Sequence, residues 1–380
     1  MRKIVHSDIV LGEPIGFSIY SQSGTLLFRR GSVIHMPDQI SRLLVRGAQY
    51  DETETDLRPY TPEAPPPPPE PEELSPFEHM GSLILNLKHV LATMLKNPEQ
   101  IDVSTRIKKI AQELQKICQK DIDSALAAPC VDSYNSYIVV QQMMGAVLTE
   151  LIAQKKGLDA GQRLSLVCAA LTRDVGQLQM QLEMDKHAGP LPDDLWAQMR
   201  QHPELGAQLL QKSGITDPVW LDAVRQHHEH LDGSGYPAEL PAAHITQGAR
   251  ILAVADRYSA MTKQRPYRAQ AYFPQFALKE IYLKKNAEID EEIGRILISV
   301  TGLLSPGTMV RIKSGEVAVV KSPTVKPDAA VVYAVYGKTG MILSTPARRD
   351  TSQPGCEIVG LVPFADCLTA AVVIKQVWAK

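Results

Sequence analysis

Pro65 to Pro69 is an unbroken run of prolines, extended by Pro62, Pro71 and Pro76. Proline has no amide hydrogen and a fixed φ, so neither a helix interior nor a central strand can pass through such a run. Consecutive prolines adopt polyproline II, and Glu63, Glu70, Glu72 and Glu73 make this an acidic, semi-rigid spacer. The chain is therefore expected to be divided, with a linker over residues 51–76, a small module before it and the bulk of the protein after it. A site for a proline-binding partner is the less economical reading of the same run.

Residues 1–50 carry two short apolar runs, Ile15 to Tyr20 and Thr25 to Phe28, around the turn Ser21-Gln22-Ser23-Gly24. That pattern predicts a β-hairpin. Gln39 to Val45 reads as a short helix, with Gly47 as its stop. Such a small β or α/β module buries little by itself and is expected to dock on another body.

From 77 to 303 the apolar period is helical almost throughout. Val103, Ile107, Ile110, Leu114 and Ile117 recur at helical spacing, and Tyr137 to Leu151 is rich in Val and Met. Leu164 to Leu171 is a further apolar helix, ending at Arg173-Asp174-Val175-Gly176. A helix over Asp193 to Gln211 carries His202-Pro203, and Asp217-Pro218 opens a helix that ends in His227-His228. His244 to Lys263 is one more helix and carries Asp256. Beyond 304 the period shortens: Met309 to Ile312, Val317 to Val320, Ala330 to Tyr333 and a last run at Ala370, Val373 and Ile374 read as strands. The expected fold is mainly α, a helical bundle over 77–303 with a small N-terminal module and a small β subdomain over 304–380.

Chemistry concentrates in one stretch. His227-His228-Glu229-His230-Leu231-Asp232-Gly233-Ser234-Gly235-Tyr236-Pro237 sets paired histidines at a helix end, followed by a glycine-containing turn closed by proline. Of the ten histidines, His202, His227, His228 and His230 fall within thirty residues. Neutral imidazole is the commonest metal ligand. With Asp174 and Asp256, the residues His202, His227 and His228 form a mixed His/carboxylate set suited to Fe, Mn or Zn and to activating water. Taken singly, each has a plainer alternative. His202 fits a core histidine and Asp256 a buried ion pair, since a carboxylate among Ile251, Leu252, Ala253, Val254 and Ala255 costs several kcal/mol unless paired or metal-bound.

Composition removes other classes. The net charge of −2 offers no global basic field for DNA or RNA. No apolar run reaches the length of a membrane span, and the start Met1-Arg2-Lys3-Ile4-Val5-His6 lacks the apolar core of a signal peptide. Cys118, Cys130, Cys168, Cys356 and Cys367 are odd in number and widely spaced, which fits reduced cytoplasmic thiols.

The run His-His-Glu-x-x-Asp-Gly-x-Gly-Tyr-Pro resembles the signature of the HD-GYP family, bacterial relatives of the HD-type metal phosphohydrolases. The similarity extends over about 130–322 and includes His202-Pro203, Ala255-Asp256, Arg265-Pro266-Tyr267-Arg268 and Ser305-Pro306-Gly307-Thr308. The resemblance implies an HD-type helical bundle and a cyclic di-GMP phosphodiesterase site. It makes Asp174, His202, His227, His228 and Asp256 metal ligands, with Asp174 central to catalysis. It gives Arg265 and Arg268 to substrate phosphate, the plainer alternative being ordinary surface charge. The loop of Asp232, Gly233, Gly235, Tyr236 and Pro237 becomes a docking surface for a partner such as a diguanylate cyclase domain.

Two departures bear on activity. The histidine of the family's His-Asp pair is Arg173 here, and the lysine three residues after the aspartate is Gln177. A guanidinium stays protonated and cannot ligate a metal. Beside a divalent cation it adds repulsion of roughly a kcal/mol or more, even at an effective dielectric of about 20. It can instead pair with Asp174 or Asp256, or face a phosphate as a third cation. Further upstream, the stretch matching a ligand-bearing helix is Asp132-Ser133-Tyr134-Asn135-Ser136-Tyr137, which has no histidine. The expected cofactor is one divalent transition metal or none. The expected function is a cyclic di-GMP-binding regulator with weak or no hydrolysis. The alternatives are an active metal-dependent cyclic di-GMP phosphodiesterase and a nucleotide-independent scaffold.

Overall fold

Helices open where sequence supplies a cap. Asp102, Asp121, Asp159, Asp217, Thr246 and Asp290 each accept a backbone N–H of the first turn, so these helices start at a side chain suited to that role. The computed structural model describes residues 1–54, 74–96, 102–180, 192–263 and 272–378, in two compact units, Met1–Glu73 and Leu74–Lys380. The proline run lies outside the described residues.

The first unit holds an antiparallel sheet in the order β1-β4-β2-β3, formed by Arg2–Lys3 (β1), Ile19–Tyr20 (β2), Leu26–Phe28 (β3) and Gln49–Tyr50 (β4). β2 and β3 are the expected hairpin. The helix runs Pro37–Val45, and Gly47 follows with φ of 62°, where an L side chain would be strained. This unit has a core of its own around Ile15, Phe17, Ile19, Ile34, Ile40 and Tyr50.

The second unit is a helical bundle. Its long helices are Pro76–Lys96, Val103–Lys120, Ile122–Cys130, Tyr137–Lys155, Ala160–Thr172, His202–Lys212, Pro218–Gln226, Gln247–Thr262, Pro274–Leu283 and Glu291–Thr301. Tyr137–Lys155 is the central one: every residue from Ile138 to Ala153 is buried, the polar Gln141, Gln142, Thr149 and Glu150 along with the apolar majority. The five residues Val103, Ile107, Ile110, Leu114 and Ile117 all face the core.

The structure corrects three element boundaries. The helix expected over Asp193 to Gln211 breaks at Arg200–Gln201 into Asp193–Met199 and His202–Lys212, because Pro203 has no N–H and fits only a first turn. The helix expected from His244 starts at Gln247, capped by Thr246, after a short 3-10 turn at Ala242–His244. The run at Ala370, Val373 and Ile374 is helical, in a 3-10 turn and the helix Ala371–Gln376. Ala371 and Ile374 are buried three positions apart, a helical rather than a strand spacing.

The C-terminal strands make a five-stranded antiparallel sheet in the order β8-β7-β6-β5-β9, built from Met309–Ile312 (β5), Val317–Pro323 (β6), Ala330–Tyr336 (β7), Ile342–Asp350 (β8) and Ile358–Val362 (β9). One face has its own cluster around Val310, Ala318, Val320 and Val332. The other, through Met309, Val317, Val319 and Val335, belongs to the main core, so the sheet and bundle form one body. No helix among the described residues is long and apolar enough to cross a membrane.

Candidate metal centre

Packing assembles the site from four helix ends. Thr172 closes the Ala160–Thr172 helix, and its hydroxyl accepts the indole N–H of Trp220 at 2.8 Å. That bond ties Arg173 and Asp174 to the Pro218–Gln226 helix, whose C-terminal end presents His227 and His228. Asp174 leads into the 3-10 turn Val175–Gln177, and a Cβ on Gly176 would lie 2.2 Å from the carbonyl oxygen of His202. Only glycine lets the turn approach that closely, and the approach sets Asp174 Oδ1 3.7 Å from His202 Nε2.

The imidazoles converge. One ligand atom from each of His202, His227 and His228 lies within 4.8 Å of the others, a trio able to hold a metal ion. His202 Nδ1 is 2.7 Å from the Met199 carbonyl, and His227 Nδ1 is 2.6 Å from that of Val224. A carbonyl only accepts, so both Nδ1 atoms carry the proton and both Nε2 atoms keep a lone pair. Those Nε2 atoms face each other at 3.4 Å. Two lone pairs in that position repel unless a cation stands between them and a third donor. Nearby, Asp174 Oδ2 is buried and accepts no hydrogen bond. The donor set therefore fits a divalent metal: three imidazoles, two of them oriented from behind by backbone carbonyls, and a carboxylate oxygen that accepts no hydrogen bond.

Burial holds the rings neutral, the form that ligates. It lowers the pKa of His202 and depresses that of His228 well below the usual value. Burial, followed by the neighbouring His202, pushes His227 down to about 4. An unfolded histidine, near 6.5, takes its proton first as pH falls. The metal-free protein is thus expected to keep full stability from these rings above about pH 6.5 and to lose it steadily down to about pH 4. Urea midpoints measured with a chelator at stepped pH check this. A flat profile from pH 7 to about pH 5 would contradict it.

Arg173 fills the remaining quarter of the site. Its side chain is 0% exposed. Nε donates to Asp256 Oδ1 at 2.7 Å and lies 3.4 Å from Asp174 Oδ2. Nη1 donates to Ala170 O, and Nη2 to Gln141 O and Ser259 Oγ. Gly145 makes the room, since a Cβ there would sit 2.7 Å from Nη1. The guanidinium lies between the two carboxylates and is turned away from the cavity, so it neutralises protein acids rather than facing a phosphate. Asp256, expected as a ligand, lines the same cavity as the histidines and accepts from Arg173 and, at 3.2 Å, from Gln141 Nε2.

The histidines open on a cavity of about 520 Å³, whose walls include Gln141, Gln177, Tyr236, Arg257 and Lys284. Tyr236 stacks on His228 with ring centroids 4.6 Å apart. Glu229 braces the loop from beneath: its carboxylate accepts the N–H groups of Ala238 and Leu240 at 2.7 and 2.9 Å. A Cβ on Gly235 would meet the backbone nitrogen of His230 at 2.3 Å, which explains the second glycine. Asp232 and Ser234 stay exposed on the outside of the loop. Arg265 and Arg268 lie outside the described residues.

Sequence reasoning missed Gln141, Gly145, Ser259 and Glu229. An upstream contact to the site comes from Gln141, while Asp132 to Asn135 forms a turn ahead of that helix: Asp132 Oδ1 accepts the N–H of Tyr134 and Asn135. The available signal was the polar pair Gln141-Gln142 inside an otherwise apolar helix.

Residues 128–293 match the HD domain family. A cyclic di-GMP phosphodiesterase of Pseudomonas aeruginosa is 31% identical over 152 residues, 40% of this chain and 36% of the relative. A 3'3'-cGAMP-specific phosphodiesterase of Vibrio cholerae is 31% identical over 156 residues, again 40% and 36%. A cyclic di-GMP phosphodiesterase response regulator of Xanthomonas campestris is 34% identical over 142 residues, 37% of each chain. The chain thus spans little more than a third of the length of these relatives. An HDG"Y"P protein from Bdellovibrio bacteriovorus shares the fold with a TM-score of 0.50 at 18% identity, over 78% of this chain and 98% of that one. The histidine–glycine–tyrosine–proline run, the HD-domain match and these relatives converge on one conclusion: residues 128–293 form an HD domain of the HD-GYP kind.

Proposed function

We propose that this protein is a cyclic di-GMP-binding regulator that holds at most one metal ion and hydrolyses the nucleotide weakly or not at all. The observation that carries the reading is the buried Arg173 guanidinium, 2.7 Å from Asp256 and 3.4 Å from Asp174. A positive charge already occupies the ground between those carboxylates. At an effective dielectric of about 20 it repels a second cation by several kcal/mol. His202, His227, His228 and Asp174 remain to hold one metal, Fe, Mn or Zn. When bound, such an ion lowers the pKa of a coordinated water and polarises a phosphoryl oxygen.

Two-metal hydrolysis needs both the attacking and the leaving oxygen to be stabilised. Here the second positive charge is buried and donates to Asp256, Ala170, Gln141 and Ser259, so it is committed to the protein rather than to the reacting phosphate. Gln177 stands on the cavity wall with no charge to give. What this chain's residues do is bind and orient: the imidazoles stay neutral, those of His202 and His227 are fixed from behind, and Tyr236 links the ring of His228 to the exposed loop. That loop is the proposed docking surface for a signalling partner such as a diguanylate cyclase domain. The five free thiols suit a cytoplasmic setting.

The test is to measure metal content, nucleotide binding and product together on the purified protein with Mn²⁺ or Fe²⁺. Binding of cyclic di-GMP with one metal or none per chain and little linear product is expected. Two metal equivalents, or fast turnover abolished by His228→Ala, would overturn the regulator in favour of a working phosphodiesterase. Absence of binding would leave a nucleotide-independent scaffold.

A further inference from the structure

Two large aromatic side chains on the cavity wall have no work in the metal centre. Trp196 is 44% exposed and Tyr272 46% exposed, and both line the cavity. Among the described residues neither makes a ring–ring or cation–ring contact, whereas Tyr236 is engaged by His228 at 4.6 Å and by Arg200 at 5.4 Å. Trp196 stands on the short helix Asp193–Met199, whose Leu195 and Met199 are buried. The helix is thus anchored by its apolar side and holds the indole at the cavity. Tyr272 precedes the helix Pro274–Leu283, and its N–H donates to Met261 O at 2.8 Å, which fixes its backbone to the end of the Gln247–Thr262 helix.

Leaving such rings in water forgoes the gain of burying them, and a concave wall is where that surface can be covered by a ligand. The same cavity carries cations. Arg257 and Lys284 are both held by Glu288, at 2.7 and 2.6 Å. Flat apolar faces beside fixed cations match a ligand made of aromatic bases and phosphates, since bases stack on aromatic side chains while phosphates seek positive charge.

We infer that Trp196 and Tyr272 are base-stacking platforms, which makes the cavity selective for a nucleotide with aromatic bases over a bare phosphodiester. The inference rests on the cyclic di-GMP-binding reading and adds to it the residues that grip the bases. Stacking on a single side chain is sequence-tolerant, so these positions set affinity for the class more than a choice between purines.

The chain supplies its own reporter. Its three tryptophans are Trp196, Trp220 and Trp378, and the last two are 0% and 1% exposed. Acrylamide quenching therefore reads Trp196. Cyclic di-GMP is titrated into the full chain with Mn²⁺ and followed by calorimetry and by fluorescence. Saturating ligand is expected to shield Trp196 from acrylamide. Trp196→Ala and Tyr272→Ala are each expected to weaken binding about tenfold, and Trp196→Phe, which keeps a stacking face, by less than about twofold. Ligand that binds by calorimetry while Trp196 stays fully quenchable, with unchanged affinity in Trp196→Ala, overturns the inference and leaves the regulator standing. No calorimetric binding by the unaltered chain overturns both. The shielding experiment needs no variant, so it decides even where a substitution disturbs folding.

Discussion

Arg173→Met is expected to lower the stability of the metal-free protein by about 3–5 kcal/mol. Methionine keeps most of the volume, so the loss is electrostatic. The guanidinium is the counter-ion of Asp174 and Asp256, both buried, and it also satisfies the carbonyls of Ala170 and Gln141. Without it, two carboxylates and two carbonyls stay in place with no cation and little water. Denaturant unfolding in the presence of a chelator measures the difference. A loss below about 1 kcal/mol would mean that Arg173 is not holding the carboxylates.

Two further arms give that experiment a sign. Mn²⁺ should stabilise Arg173→Met more than the unaltered protein, because the ground between Asp174 and Asp256 is open again and a ligand that binds only the folded state stabilises it by mass action. Asp256→Asn on the Arg173→Met background should recover part of the loss, since the two residues share a hydrogen bond of 2.7 Å and their effects cannot be independent.

What the sequence disclosed and what it withheld differ for a physical reason. Helical faces repeat at a fixed period, so Val103 to Ile117 and the Tyr137–Lys155 helix, buried from Ile138 to Ala153, could be read from the chain alone. Asp217 capped its helix as its position next to Pro218 predicted, with bonds of 3.0 and 3.2 Å from Val219 and Trp220. The His202, His227 and His228 trio was legible because histidine is scarce and clustered. Chain geometry over long separations was not. Whether Arg173 turns toward the cavity or toward Asp256 depends on the missing Cβ of Gly145, on a helix whose period carries no mark of that role. The break at Arg200 and Gln201 is legible in Pro203, which is confined to a first helical turn.

His227→Ala is expected to weaken metal binding by more than about 100-fold, since even groups that only orient a ligand are worth about 10–100-fold. The imidazole gives its Nε2 to the centre and is locked by a 2.6 Å bond to Val224, and its ring lies 4.1 Å from that of His228. Removing it takes away one donor and loosens a second. Metal titration of the chelator-treated protein measures the effect, and unchanged affinity would remove His227 from the centre. The acid limb of the stability profile should also flatten, because the ring whose pKa burial pushes down to about 4 is gone. The two variants therefore act in opposite senses on the dependence of stability on metal: Arg173→Met deepens it and His227→Ala abolishes it. That opposition distinguishes a centre in which a guanidinium has replaced one of two cations from a cavity whose histidines are only packed together. In such a cavity neither substitution would change what Mn²⁺ does to the melting temperature.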